Sequence, residues 1–248
     1  MKKNIHKRGR TVLTENYKKI IKIVKNGPFL VYGGIPLVKL IISSNDSNYP
    51  YEWTEKQIYP QLEEYTLCRC GQSENKPFCD GNHEKFDFEG METASRKSYL
   101  SDAKEINGPE LILTDNRDLC NHAGFCNRAG GIDYLILHSD DPQAKKTAIQ
   151  IAGNCNSGRL VVWDKKTGKS IEPEFEPSIA VTEEPDKGVS GPLWVRGAIP
   201  IESSNGDIYE FRNRVTLCRC GESSNKPFCD GTHIIVGFND GDESILKD

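Results

Sequence analysis

The chain has 248 residues and a formal net charge of −4. This length suits one large domain or two to three small ones. The mild acidity gives no general attraction for nucleic acid or anionic lipid, so we expect neither as a partner. The longest apolar run, residues 29–42, is about half the length that a membrane helix needs and is interrupted by Gly and Pro. We therefore expect no membrane span.

The N-terminal segment is strongly basic. Residues 1–26 contain nine Lys or Arg and one acidic residue, Glu15. A lysine-rich run of this kind is typical of a solvated face, so we predict a basic tail over residues 1–17.

The nine cysteines occur in three groups of three, at 68–79, 120–155 and 218–229. An odd number argues against a closed disulfide framework. The sequence shows no secretory signal, so we expect a cytoplasmic protein with reduced thiols, where metal binding is the natural use of grouped cysteines.

A long internal repeat organises the chain. "NGPFLVYGGIPL" (26–37) is echoed by "SGPLWVRGAIPI" (190–201), and "TLCRCGQSENKPFCDGNH" (66–83) by "TLCRCGESSNKPFCDGTH" (216–233). Short runs such as "KIIKIV" (19–24) and "SIAVT" (178–182) predict strands, and the Gly-Pro and Asn-Gly pairs predict tight turns. The first copy carries an insertion around residues 45–60. The sequence therefore predicts two related, mostly β units with short helices.

Each copy fixes three cysteines and one histidine with the spacing C-x-C-x8-C-x3-H. Two cysteines two apart on an extended strand point to one side. A cysteine and a histidine four residues apart share a face of a helix. We expect this helix to begin near the Cys-Asp-Gly sequence, so that the dipole at its N-terminus favours a thiolate-bound centre. Two such pairs suit a centre with two irons. The alternatives are one structural zinc ion, for which C-x-C is a tight spacing, and inert buried thiols. The predicted ligands are Cys68, Cys70, Cys79, His83, Cys218, Cys220, Cys229 and His233.

These two phrases resemble the CDGSH iron–sulfur domain family (mitoNEET-like proteins). The resemblance implies that each quartet binds a [2Fe–2S] cluster. It also implies that the two units, which we place at residues 18–90 and 175–248, pair through exchanged strands as a pseudo-dimer within a monomeric chain. The sequence departs from the family at Asn82 and Thr232, where the family has Ser.

The segment 91–174 lies between the copies and belongs to neither. "ELILT" (110–114), "YLIL" (134–137) and "RLVVW" (159–163) predict strands, and residues 140–155 predict a helix that Asp140 or Asp141 caps, with Pro142 in its first turn and Gly153 near its end. We therefore expect a small α/β insert.

The insert resembles a divergent single-cluster ferredoxin-like domain, with Asn156 where that domain has Pro. Cys120, Cys126 and Cys155 are then candidates for a third iron–sulfur cluster, completed by His122 or by a ligand from outside the chain. The alternative is a relic that keeps its thiols in a core.

The expected function is electron transfer, cluster transfer or redox sensing by two [2Fe–2S] clusters, with a redox partner protein or a cluster acceptor. Replacing one anionic thiolate by a neutral imidazole makes the centre less negative. The centre is then easier to reduce than that of an all-cysteine ferredoxin. A proton also competes with iron for that imidazole. We expect no enzymatic activity of the chain itself. The alternatives are a structural zinc module that mediates interactions and a redox subunit of a partner oxidoreductase.

Overall fold

The computed structural model describes residues 17–45 and 48–245. The predicted basic tail, apart from Tyr17, lies outside the described residues. Within them the chain is mostly β, with three sheets and short helices, as predicted. No helix in the described part of the chain combines the length and the apolar character that crossing a membrane requires.

The first unit contains five strands and one short helix. They are β1 (Ile20–Ile23), β2 (Phe29–Tyr32), β3 (Leu37–Ser44), β4 (Pro50–Ile58), β5 (Glu64–Leu67) and α1 (Asn82–Lys85). Pro28 and Pro36 directly precede β2 and β3, where a residue without an N–H interrupts no ladder.

The middle segment forms its own antiparallel sheet, with the strand order β6-β7-β8-β9, and its longer helices pack against that sheet. Its elements are α2 (Tyr99–Asp102), β6 (Lys104–Asn107), β7 (Leu111–Asp115), α3 (Ile132–Leu137), α4 (Pro142–Asn154), β8 (Leu160–Asp164) and β9 (Ser170–Ile171). The strands predicted at 110–114 and 159–163 are confirmed.

The strand predicted at 134–137 is wrong, because these residues belong to α3. The helix buries Ile132, Leu135 and Ile136, which have the spacing of one helical face, and leaves Tyr134 exposed. A four-residue apolar run does not by itself distinguish a strand from a buried helix, and here tertiary packing decides.

The predicted helix at 140–155 is confirmed as α4, with one difference at its end. The Asp141 side chain accepts a hydrogen bond from the Ala144 N–H at 2.8 Å, and Pro142 is the first helical residue. Gly153 lies inside the last turn, and the helix ends at Asn154.

Within the described residues, the second unit repeats the first but lacks a counterpart of β4, the strand that pairs with β3 in the first unit. Its elements are β10 (Ser178–Glu184), β11 (Val189–Arg196), β12 (Ile201–Glu202), β13 (Arg214–Leu217) and α5 (Thr232–Ile235).

The two units exchange strands. β3 of the first unit pairs in parallel with β10 of the second, with Leu37 opposite Ile179. β12 pairs in parallel with β1, with Ile201 opposite Ile21. These two registers are equivalent in the repeat, so the units are related by a pseudo-two-fold axis. The predicted intrachain pseudo-dimer is therefore confirmed.

One hydrophobic core serves both units. It combines buried side chains of β1, β2 and β5 with those of β10, β11 and β13, among them Ile21, Phe29, Val181 and Leu217. A unit of about seventy residues buries too little apolar surface to be more than marginally stable alone, so the shared core supplies what each copy lacks.

The insertion in the first copy attaches the middle segment. It forms β4, which pairs with β3, and the Trp53 indole N–H donates to the Asn154 carbonyl at 3.0 Å. The Trp53 ring also packs on Phe125 at 5.3 Å between centroids, and Arg128 donates to the Tyr51 carbonyl at 2.8 Å.

The two cysteine loops meet at the pseudo-two-fold axis through paired glycines. Gly71 and Gly221 have φ of 78° and 89°. A Cβ atom at either position would lie 2.5 Å from the carbonyl oxygen of Cys220 or Cys70 in the other unit. Only glycine permits this approach.

We expect Gly71→Ala to destabilise the folded chain more than Gly206→Ala. Gly206 also has positive φ, at 86°, but no atom lies within 4 Å of its Cβ position. The control thus carries only the backbone cost, about 1–2 kcal/mol, whereas Gly71→Ala adds an overpacking cost of about 1–3 kcal/mol. Thermal unfolding of both iron-loaded variants measures the difference, and equal midpoints would contradict the close approach of the loops.

Candidate metal centres

The C-x-C pairs lie just beyond the strands and not on them, which corrects the prediction from strand geometry. β5 ends at Leu67 and β13 at Leu217. The chain turns at the positive-φ glycine that follows each pair. This turn still brings the sulfurs of Cys68 and Cys70 to 3.7 Å from each other, and those of Cys218 and Cys220 to 3.6 Å.

A turn, and not one face of a helix, brings the cysteine and the histidine of each Cys–His pair together. α1 and α5 begin at Asn82 and Thr232, so the third cysteine of each quartet precedes the helix. The Cys79 sulfur nevertheless lies 3.4 Å from His83 Nδ1, and the Cys229 sulfur 3.3 Å from His233 Nδ1. Helices of four residues have a small dipole, so the expected dipole contribution does not apply.

The aspartate of each Cys-Asp-Gly sequence holds this turn. Asp80 accepts hydrogen bonds from the backbone N–H groups of Glu74 at 2.8 Å and Asn82 at 3.0 Å, and Asp230 accepts the equivalent pair. The side chains at the two positions that depart from the family pattern also form hydrogen bonds. Asn82 donates to the Gln72 carbonyl at 3.0 Å, and the Thr232 hydroxyl donates to Asp230 at 2.7 Å.

The second half of each loop folds back on the preceding strand. The Cys68 N–H donates to the Pro77 carbonyl at 2.8 Å, and the Cys79 N–H to the Thr66 carbonyl at 3.0 Å. The second unit repeats both bonds. Each Cys–Cys pair therefore faces a Cys–His pair across the loop.

This arrangement of two pairs suits two metal ions better than one. Ligands of one tetrahedral zinc lie about 3.8 Å from each other. Among the described residues, the one group of three or more potential ligands whose atoms all lie within 4.8 Å of one another is Glu183, Asp240 and Asp242. Neither quartet is that compact, so a single ion would have to draw the pairs together. Glu183, Asp240 and Asp242 form ion pairs with Arg219 and Lys39, which offset most of their charge.

A hydrogen bond joins the two thiols of each C-x-C pair. The hydrogen bond with Cys70 lowers the pKa of Cys68 to about 6, and that with Cys220 does the same for Cys218. The same bonds raise the pKa of Cys70 and Cys220. Burial raises the pKa of Cys229 well above its usual value. Metal ligation removes these protons, so metal binding depends on pH.

The arginine between the two cysteines of each pair points away from the sulfurs and anchors the loop. Arg69 donates to the carbonyls of Gly27 at 2.8 Å and Gly90 at 2.9 Å. Arg219 donates to the Gly191 carbonyl at 2.6 Å and forms ion pairs with Glu183 and Asp240. Sequence reasoning assigned these arginines no role, although their repetition in "CRCG" was a usable signal.

The two quartets differ in their surroundings. The His83 side chain is 15% exposed and that of His233 is 2% exposed. His233 Nε2 lies 3.1 Å from the buried Glu184 carboxylate, whereas His83 Nε2 lies 4.0 Å from the exposed Glu84. Burial raises the pKa of Glu184, but His233 and Lys187 outweigh that effect, and the pKa is lowered from its usual value.

The third cysteine group lines a small cavity in the middle segment. The cavity has a volume of about 120 Å³ and is bordered by Cys120, Cys126, Cys155 and the loop between the first two. Arg159, buried beside it, donates to the Cys120 sulfur at 2.9 Å and pairs with Asp115 at 2.9 Å. Burial raises the pKa of Cys126. A cationic side chain beside a cysteine sulfur suits an anionic iron–sulfur centre, so these residues fit such a group.

Two buried amides support the same assignment: Asn121 lines the cavity, and Asn156 directly follows the lining residue Cys155. Asn121 Nδ2 and both polar side-chain atoms of Asn156 have no hydrogen-bond partner within the described residues. Buried polar groups of this kind call for a partner that the polypeptide does not supply.

His122 lies at the border between this cavity and the second unit. It lines the cavity, and a Cβ atom built on Gly231 would lie 2.4 Å from its Cδ2 atom. The ring therefore packs against the Cys-Asp-Gly turn of the second quartet. Its assignment as a ligand stays a prediction.

Comparison with known families assigns these segments. The model described as "Iron-binding zinc finger CDGSH type" matches residues 26–84 and 190–234. The model described as "Divergent 4Fe-4S mono-cluster" matches residues 106–165. Searches of curated proteins and of solved structures found no match. The chain is an iron–sulfur protein in which two CDGSH-type iron-binding domains flank a divergent 4Fe-4S mono-cluster domain.

Proposed function

We propose that this protein is an electron carrier with three iron–sulfur centres. The two quartets each hold a [2Fe–2S] cluster, and Cys120, Cys126 and Cys155 hold a [4Fe–4S] cluster. A bound cluster of either type accepts and returns one electron. The observation that carries the proposal is the duplicated division of each quartet into a Cys–Cys pair and a Cys–His pair.

The neighbourhood of the second and third centres favours electron transfer over cluster delivery. His122, two residues after Cys120, packs on Gly231, two residues after Cys229. Asn225 of the second loop donates to the Asp118 carbonyl at 2.8 Å. Residues of the two centres are thus in contact, which is of use to a protein that moves electrons between centres. A protein that donates clusters gains nothing from enclosing one of them.

The first centre is the contact point that we propose for a redox partner protein. His83 is its partly exposed ligand, and Phe86 and Met91 nearby in the chain are 61% and 73% exposed. We propose that the partner performs any substrate reaction and that this chain supplies electrons. All nine cysteines of the chain belong to the three centres, so its reactive thiols serve as ligands.

The iron-loaded chain should be red-brown and contain about eight irons and about eight acid-labile sulfides, from two two-iron clusters and one four-iron cluster. Metal and sulfide analysis of anaerobically purified protein checks this number. Electron paramagnetic resonance after reduction with dithionite identifies the cluster types. A colourless protein that contains zinc and no acid-labile sulfide would contradict the proposal.

The centres should be lost independently of one another. We expect Cys79→Ser to remove about two irons and Cys126→Ser about four. Each removes a ligand of one centre only, and the units keep the shared core. Iron analysis and the resonance spectra of the two variants measure the loss. If Cys126→Ser leaves the iron content unchanged, the middle segment holds no cluster and its thiols are core residues.

A further inference from the structure

The turn between the first two strands of each unit differs between the copies. In the first unit Ile20 pairs with Tyr32, twelve residues later. In the second Ser178 pairs with Arg196, eighteen residues later. Glu184 is the last residue of β10, and Lys187 lies in the turn that follows it; among the described residues neither has a counterpart in the first unit. β11, the strand after this turn, lies beside α5, the helix that carries His233.

Glu184 contacts the imidazole on the side opposite the cysteine. Its Oε1 atom lies 3.1 Å from His233 Nε2, while His233 Nδ1 faces the Cys229 sulfur at 3.3 Å. Both side chains are almost fully buried. A carboxylate that accepts the Nε2–H proton fixes the tautomer and leaves the Nδ1 lone pair free for a metal, as carboxylates do behind metal-binding histidines generally.

Lys187 extends this contact to the middle segment. Its ammonium group forms an ion pair with Glu184 and donates to the carbonyls of His122 at 2.7 Å and Ala123 at 3.3 Å. These carbonyls belong to the loop between Cys120 and Cys126. A continuous set of contacts therefore joins the histidine of the second centre to the ligand loop of the third.

The described residues of the first unit contain no such arrangement. His83 Nε2 lies near Gly27 in the shorter turn, and the nearest carboxylate, Glu84, is 84% exposed and 4.0 Å away. Water screens a charge in that position, whereas the buried Glu184 acts at close range.

We propose that Glu184 is a positioning residue that makes the two [2Fe–2S] centres unequal. It holds His233 as a firmly bound ligand and, through Lys187, ties the second centre to the third. Its negative charge also stabilises the oxidised form of the second centre, so that centre has the lower reduction potential of the two. The first centre exchanges iron more readily. This inference rests on the proposed function, because it requires clusters in both quartets.

The test compares Glu184→Gln with Glu84→Gln in the iron-loaded chain. Glutamine keeps the shape and an acceptor oxygen but removes the charge. Two single variants assign the signals. Cys79→Ser removes the first centre and leaves the signal of the second, and Cys229→Ser removes the second and leaves the signal of the first. For each centre we measure the reduction potential by dithionite titration with electron paramagnetic resonance, and the rate of iron release to EDTA.

In the unmodified chain the first centre should release iron faster and be reduced at the higher potential. Glu184→Gln should raise the potential of the second centre alone and accelerate its iron release by about 10- to 100-fold, since mutating the partner of a metal-bound histidine typically lowers metal affinity by that factor. Glu84→Gln should change neither centre. Glu184→Asp, which keeps the charge, should restore part of the difference in potential.

Two results overturn the inference while leaving the proposed function intact. In one, Glu184→Gln changes neither property of the second centre. In the other, it changes both centres equally, which indicates a general loss of stability. A chain without acid-labile sulfide overturns the inference and the proposed function together, and its lack of colour distinguishes that outcome from the other two.

Discussion

The exchange of strands between the two units is the interaction on which the rest of the structure depends. β3 completes the sheet of the second unit, and β12 completes that of the first, in equivalent registers. This exchange creates one core from two copies that are individually too small. It also brings the two C-x-C loops into contact at Gly71 and Gly221, so the positions of both quartets follow from the same pairing.

The insertions distinguish the copies and recruit the middle segment. The first copy contributes the β3–β4 arm, whose Trp53 packs against the segment that carries the third cysteine group. The second copy contributes Glu184 at the end of β10 and the longer turn that follows, whose Lys187 contacts the same segment. One quartet thereby becomes enclosed and the other stays near solvent. A duplication that was symmetric at its core has diverged at its edges, where added residues do not disturb the shared sheets.

Much of the site could be predicted because it is local in sequence. Each quartet lies within the eighteen-residue repeated motif. Turn residues inside that motif bring Cys68 close to Cys70 and Cys79 close to His83. The predicted strand and helix geometries were nevertheless wrong in detail, since loops place the sulfurs. "YLIL" (134–137) was misassigned for a related reason. A short apolar run takes the form that its packing partners favour, and α4 is that partner.

The sequence alone determined that two identical ligand sets exist, that their units are mostly β, and that a third cysteine group lies between them, because spacing and repetition are properties of the chain. Only the tertiary structure decided which elements pair across the repeat and which carboxylate lies behind which histidine. Glu184 and His233 are separated by 49 residues, and Lys187 and His122 by 65. Contacts over such separations depend on the packing of whole units, which no local pattern encodes.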